Sequence, residues 1–347
     1  MVRFGDYVRV RRGSTLAIGI LALALLGLAA CTPDETRLPA GESKAPSVGS
    51  PEEETSGTAL RVGFSQVENA NPWRIAQTIS LLEEADARGI ELVYADAEGR
   101  TDKQLEDVKY LLAQDIDYLI FDPREYIESA PALEFAKEAG VPVILIDRAV
   151  LGEAGVDYLT RIATDFTMEG RRAAEWLIEH HGDAPLQIVE ITGTPGSSAA
   201  IDRQQGFRSV IDQYPEHTVS VSATADFLRA ESQRVMEHII QSTSGQFDAV
   251  FAHNDEMAIG VTQALKNAGI QPGHDVIVVG IDGARDAVKA IIAGEMGATV
   301  IVNPYYGPVT FDVIERIDAG EEVPEFILIE DGVIDATNAQ EMINQAF

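Results

Sequence analysis

Short apolar runs alternate with longer segments of helical period from about residue 60 to the carboxyl end of the chain. The runs are rich in Val, Ile and Leu and are bounded by polar residues, Gly or Pro, a pattern typical of buried β-strands. Segments between them, such as 75–89 and 230–242, carry apolar residues at helical spacing. Repeated βα units of this kind predict an α/β fold with doubly wound parallel sheets covered by helices on both faces. The predicted strands are 60–65, 91–95, 118–121, 141–146, 186–191, 218–222, 249–252, 276–281 and 298–302.

Polar side chains follow most of these runs, at the point where each predicted strand ends. In doubly wound sheets, ligands bind in the crevice at the carboxyl ends of the strands, so these side chains are expected to collect around one site. Helix capping is the alternative for Asp and Asn at such positions, and we expect it for Asp255, which precedes "EMAIG". Capping does not explain an arginine beside a carboxylate, so Asp147 and Arg148 favour binding. The residues concerned are Ser65, Gln66, Asp96, Asp122, Asp147, Arg148, Asp226, Asn254, Asp255 and Asp282.

The segment "NPWRIAQ" (71–77) places an indole beside a guanidinium where the first of these strands passes to a helix. The chain has only two tryptophans, so their positions are informative. Trp73 is either a stacking platform for a ligand or an ordinary packing residue on the following helix. Its polar neighbours Asn71 and Arg74 favour the platform.

The acidic composition limits the possible partners. The chain has 26 Lys+Arg against 56 Asp+Glu, a formal charge of −30. Such a surface repels phosphate backbones, so nucleic acid is an unsuitable ligand.

The amino-terminal residues are typical of an export signal. The basic stretch "VRVRR" (8–12) precedes the apolar run 16–30, and the only cysteine, Cys31, follows directly. The ending "LAAC" resembles the lipobox of bacterial lipoproteins, in which the cysteine is lipidated and becomes the mature amino terminus. Residues 1–30 are therefore predicted as a leader. An uncleaved membrane anchor and a buried free cysteine are the alternatives.

Residues 31–58 are predicted as a flexible acidic tether. They are rich in Pro, Glu, Ser and Gly and contain almost no large apolar side chain, so they cannot offset the entropy of ordering themselves. The folded part is expected to begin near Ala59. Since no apolar stretch of spanning length follows, we expect an extracytoplasmic module held at a membrane by lipid on Cys31 alone.

Five ordered motifs resemble the type I periplasmic sugar-binding proteins of ABC importers. They are "IDR" (146–148), "AAIDRQQGF" (199–207), "ADFLR" (225–229), "FAHNDEMAIG" (251–260) and "VVGIDG" (278–283). The galactofuranose-binding branch is most similar, through "VGFSQV" (62–67), "WR" (73–74) and "TGTPGSSAAIDRQQGF" (192–207). The ribose-binding branch is also similar but more often carries a second aromatic residue where Arg74 stands.

The resemblance implies two similar lobes that are joined by three crossing strands and close around a sugar. The first lobe would comprise 59–164 and 303–330, and the second 165–302 and 331–347. The crossings would fall near Thr164, Val302 and Asp331.

The resemblance also implies which residues face the sugar. These are Asn71, Trp73, Arg74, Asp147, Arg148, Arg203, Phe227, Asn254 and Asp282. Weaker candidates, whose side-chain direction cannot be read from the sequence, are Ser65, Gln66, Asp122 and Asp165.

These residue types suit a sugar on chemical grounds as well. Carboxylates accept paired hydrogen bonds from neighbouring hydroxyl groups, Arg donates in a planar fork, and Asn does both. An aromatic face covers the C–H groups of a sugar ring. For Phe227, simple burial explains an aromatic residue after a strand equally well. Tyr305, Tyr306 and Asp122 depart from the family pattern and make the identity of the sugar the least determined feature.

The implied function is capture of a neutral monosaccharide, with galactofuranose favoured, and its delivery to an ABC permease and its ATPase. The protein would act as a monomer without a cofactor or a metal. A sugar sensor that presents the same closed form to a chemoreceptor or sensor kinase is the alternative.

Two other classes of protein are disfavoured. A transcriptional repressor of this fold would need a basic helix-turn-helix domain at its amino terminus, where this chain has an export signal. An enzyme using Asp147 and Asp282 as a glycosidase pair is disfavoured, because nearby donors keep both carboxylates ionised.

Overall fold

The computed structural model describes residues 7–9, 60–182 and 184–347. The predicted leader and tether, including Cys31, therefore lie outside the described residues except for Tyr7–Arg9, which forms a short strand that the sequence pattern did not predict. Among the described residues, no helix combines the length and the hydropathy needed to cross a bilayer.

The described chain alternates strands and helices over almost its whole length. The strands are β1 (Tyr7–Arg9), β2 (Arg61–Gln66), β3 (Glu91–Asp96), β4 (Tyr118–Phe121), β5 (Val143–Ile146), β6 (Thr160–Ala163), β7 (Gln187–Thr192), β8 (Thr218–Thr224), β9 (Ala249–Ala252), β10 (Ile277–Asp282), β11 (Ala298–Ile301), β12 (Phe326–Leu328) and β13 (Gly332–Asp335). The helices are α1 (Pro72–Arg88), α2 (Thr101–Leu112), α3 (Pro131–Ala139), α4 (Phe166–His181), α5 (Ser198–Ile211), α6 (Arg229–Thr243), α7 (Asp255–Asn267), α8 (Arg285–Ile292), α9 (Gly307–Asp318) and α10 (Ala339–Met342).

The strands form two sheets of matching topology. The first has the order β1-β3-β2-β4-β5-β6-β12 and the second β13-β11-β10-β9-β7-β8. All neighbours pair in parallel, except that β1 runs antiparallel to β3 and β13 antiparallel to β11. In the first sheet β3 lies on one side of β2 and β4 on the other, and in the second sheet β8 and β9 flank β7 in the same way. The direction in which successive strands are added therefore reverses at β2 and at β7. Such a reversal opens a crevice at the carboxyl ends of the strands.

Helices cover both faces of each sheet, as the apolar pattern of β4 illustrates. Its residues Leu119 and Phe121 pack in one apolar cluster with α2 and α3, whereas Tyr118 and Ile120 belong to another cluster shared with α1 and α9. A strand buried on both faces has a continuous apolar sequence, which is why β4 and β5 read as unbroken runs.

The chain passes between the two sheets three times. The first passage lies between β6 and α4, the second follows β11, and the third joins β12 to β13. The short strands β6, β12 and β13 were not predicted from the apolar pattern. Nine other strands were predicted and are confirmed with boundaries within two residues.

The first helix begins earlier than its apolar period indicates. It starts at Pro72, three residues before the predicted start, because the side chain of Asn71 accepts a hydrogen bond from the Arg74 amide and Pro72 suits the first turn. This cap places Trp73 and Arg74 on the first turn of α1, at the carboxyl end of β2.

Candidate ligand-binding site

A cavity lies between the two lobes at the carboxyl ends of the parallel strands. The structure brings all nine of the predicted sugar-facing residues to this cavity and adds Ala199. The lining residues are Asn71, Trp73, Arg74, Asp147, Arg148, Ala199, Arg203, Phe227, Asn254 and Asp282. Each is buried, with no more than 8% of its surface exposed, so the two lobes are closed on one another.

Two carboxylates hold the guanidinium of Arg74. Its Nη2 donates to Asp147 Oδ2 at 2.8 Å, and its Nη1 pairs with Asp122. Asp122 is fully buried behind Arg74 and does not line the cavity. Burial raises the pKa of Asp122 to about 7, against the opposing effect of Arg74. This weaker candidate therefore fixes Arg74 rather than facing the cavity.

Trp73 is anchored to the second crossing between the lobes. Its indole Nε1 donates to the carbonyl oxygen of Val302 at 2.8 Å, and its ring meets Tyr306 edge to face with centroids 5.9 Å apart. Tyr306 is fully buried, whereas Tyr305 is 51% exposed. Trp73 thus both lines the cavity and packs against the hinge, so the two alternatives given for it from sequence are not exclusive.

A close contact between α4 and α5 places Arg203. An added Cβ on Gly206 would lie 2.0 Å from the backbone oxygen of Thr167, and one on Gly170 would lie 2.0 Å from that of Arg203. The helices therefore approach to backbone contact only because both positions lack a side chain. At this distance Arg203 Nε donates to Glu169 Oε2 at 2.7 Å.

Arg203 makes a second buried hydrogen bond, from Nη1 to the carbonyl oxygen of His253 at 2.7 Å. Burial by itself lowers the pKa of Arg203, but the charges of Glu169 and Asp282 outweigh it and raise the pKa above its usual value. The guanidinium is thus held rigidly and remains charged. Glu169 and His253 were not predicted as site residues. Glu169 lies inside α4, away from any strand end. His253 follows β9 directly, a position that could have been included among the polar residues at strand ends.

The ring of Phe227 lies where the glycine at 193 leaves room for it. A Cβ at Gly193 would be 1.9 Å from Phe227 Cζ. Asp226 and Phe227 both adopt left-handed backbone conformations, with φ of 54° and 62°. Consecutive non-glycine residues in this region are strained, and such strain is concentrated at functional sites.

Arg148 is the least neutralised cation of the cavity. Its Nη1 donates to the carbonyl oxygen of Arg124 at 2.9 Å, and its guanidinium carbon lies 5.2 Å from the Phe227 ring centre. No carboxylate within the described residues pairs with it, and its Nε is buried without a partner there. Burial, together with the charge of Arg74, lowers the pKa of Arg148 to about 10, so it is still protonated at neutral pH.

The cap of α7 is Asn254 and not Asp255, so the prediction for Asp255 was wrong. Asn254 Oδ1 accepts from the Met257 amide at 3.0 Å. The Asp255 carboxylate turns inward, where it accepts from Thr299 Oγ1 and the Ala284 amide, each at 2.7 Å. Thr299 lies within β11 and Ala284 follows β10, 44 and 29 residues along the chain from Asp255, so only the tertiary structure reveals these partners.

Asp282 is the unpaired anion of the cavity. It ends β10 with a φ of 136°, and its carboxylate has no hydrogen bond or ion pair with any described residue. Burial raises the pKa of this carboxyl well above its usual value, despite the opposing charge of Arg203. A buried acceptor without a partner in the protein is suited to a ligand donor.

The other weaker candidates do not line the cavity. Gln66 is buried and donates to Gln77 Oε1 and Thr78 Oγ1, which ties β2 to α1. Ser65 is buried in the same strand, with no partner for its hydroxyl among the described residues. Asp165 is exposed and caps α4 by accepting from the Met168 amide at 2.9 Å.

Comparison with known proteins agrees with this architecture. A family model described as periplasmic binding protein domain matches residues 62–322. The chain belongs to the periplasmic binding protein family. The type I assignment made from the motifs is thereby confirmed.

Three similar proteins illustrate the range of the family. The galactofuranose-binding protein YtfQ of Escherichia coli (strain K12) is 36% identical over 77% of this chain and 84% of its own length. The ribose import binding protein RbsB of Bacillus subtilis (strain 168) is 32% identical over 89% of this chain and 94% of its own. The binding component of the arabinose ABC transporter of Shewanella sp. ANA-3 was solved with α- and β-L-arabinofuranose. It has a TM-score of 0.79 and 38% identity, covering 82% of this chain and 95% of that one.

Proposed function

We propose that this protein is an extracytoplasmic solute-binding protein that captures a neutral monosaccharide and delivers it to an ABC importer. The observation that carries the proposal is the buried cavity between the lobes, which combines unpaired donors and acceptors with two aromatic side chains. Sugars need both, because they present hydroxyl groups at their edge and C–H groups on their faces.

The charge balance of the cavity supports a neutral ligand. Arg74 is paired with Asp122 and Asp147, and Arg203 is paired with Glu169. One cation, Arg148, and one anion, Asp282, then remain without an ion partner among the described residues, and the second carboxylate on Arg74 leaves the site with no surplus positive charge. A phosphorylated or acidic sugar would bury a net charge in this site, which is costly without compensation.

The arrangement of the side chains around the cavity supports a single sugar ring as ligand. The Trp73 and Phe227 side chains belong to opposite lobes and both reach the cavity. Because both rings and the charged side chains surround the same small cavity, we expect the closed site to accommodate one monosaccharide and not a disaccharide.

We further propose that the ligand is a furanose, with galactofuranose favoured. Two of the similar proteins are named or solved with furanoses, a galactofuranose-binding protein and a protein bound to L-arabinofuranose. Their identities to this chain, 36% and 38%, are higher than the 32% of the ribose import protein. Arg74, where the ribose branch more often has an aromatic residue, also favours this branch.

Calorimetric titration against a panel of sugars tests the ligand class. We expect binding of D-galactose, L-arabinose or D-fucose, and no binding of galactose 6-phosphate, galacturonate or lactose. With sugars labelled with ¹³C at C1, NMR of the bound sugar is expected to show a furanose anomeric carbon. Trp73→Leu should weaken binding by about two- to tenfold, the equivalent of losing an aromatic contact of ~0.5–1.5 kcal/mol.

The matched control is Phe135→Leu, which removes a half-buried aromatic ring outside the cavity and should leave binding unchanged. Binding of amino acids or peptides without any sugar response would contradict the ligand class. A bound pyranose would contradict the furanose assignment alone.

We also propose that Cys31 carries lipid and begins the mature protein, on the strength of "LAAC" after a basic and apolar leader. Globomycin treatment of expressing cells should accumulate the longer precursor. Intact-mass analysis of the native protein should find a diacylated cysteine at the mature amino terminus, and an unmodified one would contradict the anchor.

A further inference from the structure

Loops from the two lobes touch directly outside the cavity and outside the three crossing segments. The Tyr126 amide of the first lobe donates to the Gly196 carbonyl of the second at 2.8 Å. The Ala149 amide donates to Ser198 Oγ, also at 2.8 Å. Arg124 Nη2 lies 3.6 Å from Asp226 Oδ1. We call these three contacts the clasp.

The clasp loop of the first lobe is held in place by a buried side chain. Gln104 of α2 is fully buried, donates to the Asp122 carbonyl at 2.8 Å and accepts from the Arg124 amide at 2.9 Å. The Glu125 amide donates to Ser129 Oγ at 3.1 Å. The loop is therefore preorganised by its own lobe and does not depend on a ligand for its shape.

Arg124 connects the clasp to the cavity through both its backbone and its side chain. Its carbonyl oxygen accepts from Arg148, the cavity cation that lacks a carboxylate partner. Its guanidinium pairs through Nη1 with Glu125 of its own loop and turns Nη2 toward Asp226, the residue directly before Phe227. The Arg124 loop holds Arg148 in the first lobe, and the strained turn at Asp226 holds Phe227 in the second lobe. Pairing of Arg124 with Asp226 therefore joins these two elements across the cleft.

We propose that Arg124 is a positioning residue that, with Asp226, stabilises the closed arrangement of the lobes and the ligand site before a sugar is bound. The inference rests on the proposed function only in identifying the ligand, because every clasp contact is made between protein groups. Its consequence is that ligand-free protein closes for a measurable fraction of the time, and that release of the sugar requires the clasp to open.

The amide of Tyr126 reports this closure directly, since its bond to Gly196 exists only when the lobes meet. In the sugar-free full chain, we expect hydrogen exchange measured by NMR to show protection of this amide. Asp226→Asn should reduce the closing equilibrium constant obtained from that protection about two- to fivefold, in line with a partly exposed ion pair. Asparagine tolerates a left-handed backbone, so the turn itself is retained. Added salt should reduce the protection in the wild type more than in the variant.

The matched control is Asp102→Asn, which removes the exposed Arg100–Asp102 ion pair of the same chain and should leave Tyr126 exchange unchanged. Arg124→Gln should behave like Asp226→Asn, and the double variant should add little to either. In a second arm, the rate of D-galactose release, followed by tryptophan fluorescence, should rise two- to fivefold in both single variants.

An unprotected Tyr126 amide in sugar-free wild type, or equal protection in wild type and both variants, would overturn the clasp. Failure of D-galactose to bind any form would count against the proposed ligand and leave the exchange result as the measure of the clasp.

Discussion

Asp282→Asn is expected to weaken sugar binding by about 10- to 150-fold, since hydrogen bonds to charged groups contribute roughly 1.5–3 kcal/mol each. The carboxylate has no protein partner among the described residues, so the isosteric change leaves every described hydrogen bond of the fold in place. In the closed site the anion lies among Arg203 and the other cavity groups, where a sugar hydroxyl is its natural donor. Calorimetry of wild type and variant with the best sugar of the panel measures the loss.

The same variant makes a prediction about pH. Burial raises the pKa of the Asp282 carboxyl well above its usual value, so the sugar-free site takes up a proton there as the pH falls through that raised pKa. If the sugar binds to the ionised form, proton uptake competes with binding, and affinity should decrease on acidification. Asp122 also titrates, with a pKa of about 7. The difference between wild type and Asp282→Asn gives the part of the pH dependence of sugar affinity that is due to Asp282. Affinity should change less with pH in the variant than in the wild type.

Asp165→Asn is the matched control. Asp165 caps α4 from an exposed position outside the cavity, and asparagine caps a helix as well as aspartate does. Its affinity and its pH profile should equal those of the wild type. If Asp282→Asn binds sugar as tightly as the wild type, Asp282 does not contact the ligand. If Asp165→Asn loses sugar affinity, the ligand site extends beyond the cavity.

Gly206→Ala is expected to destabilise the second lobe and to abolish tight binding together. The new Cβ would lie 2.0 Å from the Thr167 carbonyl oxygen, a backbone atom that cannot move aside as a flexible side chain can. Overpacking of this kind costs about 3 kcal/mol or more at its upper range, partly offset by a gain of ~1 kcal/mol in helix propensity. Separation of α4 from α5 would also break the pair between Arg203 and Glu169, which leaves a buried charge uncompensated.

Denaturant unfolding and calorimetry test this prediction together. Gln205→Ala serves as the control, because Gln205 is exposed on the same helix and its replacement should leave both stability and affinity close to wild type. A Gly206→Ala protein with unchanged stability would show that the two helices separate at little cost. Full stability with lost binding would place the effect on Arg203 alone.

The βα alternation could be predicted from the sequence pattern, and the residues that line the cavity from the resemblance of its motifs to a known family. Apolar runs such as those of β4 and β10 are local patterns, and the parallel pairing that they imply brings the carboxyl ends of the strands together. The residues after those strands, such as Asp147 and Asp282, therefore had to meet. The motif around Arg203 was informative for a physical reason as well, because Gly206 permits the helix contact that aims the arginine.

The crossing strands and the cap of α7 could not be predicted in this way. The strands β6, β12 and β13 are short, and their pairing is decided by partners far away in the chain. Asn254 and Asp255 are both good capping residues, and only the position of Thr299 and the Ala284 amide decides which of them turns inward.

By itself, the sequence determined the α/β class, the sites where strands end, and the chemical types of the residues that surround the cavity, since each depends on local periodicity and residue identity. Only the tertiary structure decided that Asp122 supports Arg74 from behind, that Arg148 and Asp282 are left without ion partners among the described residues, and that Arg124 reaches Asp226 across the cleft. Those features depend on side-chain direction and on contacts between residues that are distant in sequence, and neither is encoded in the pattern of a single segment.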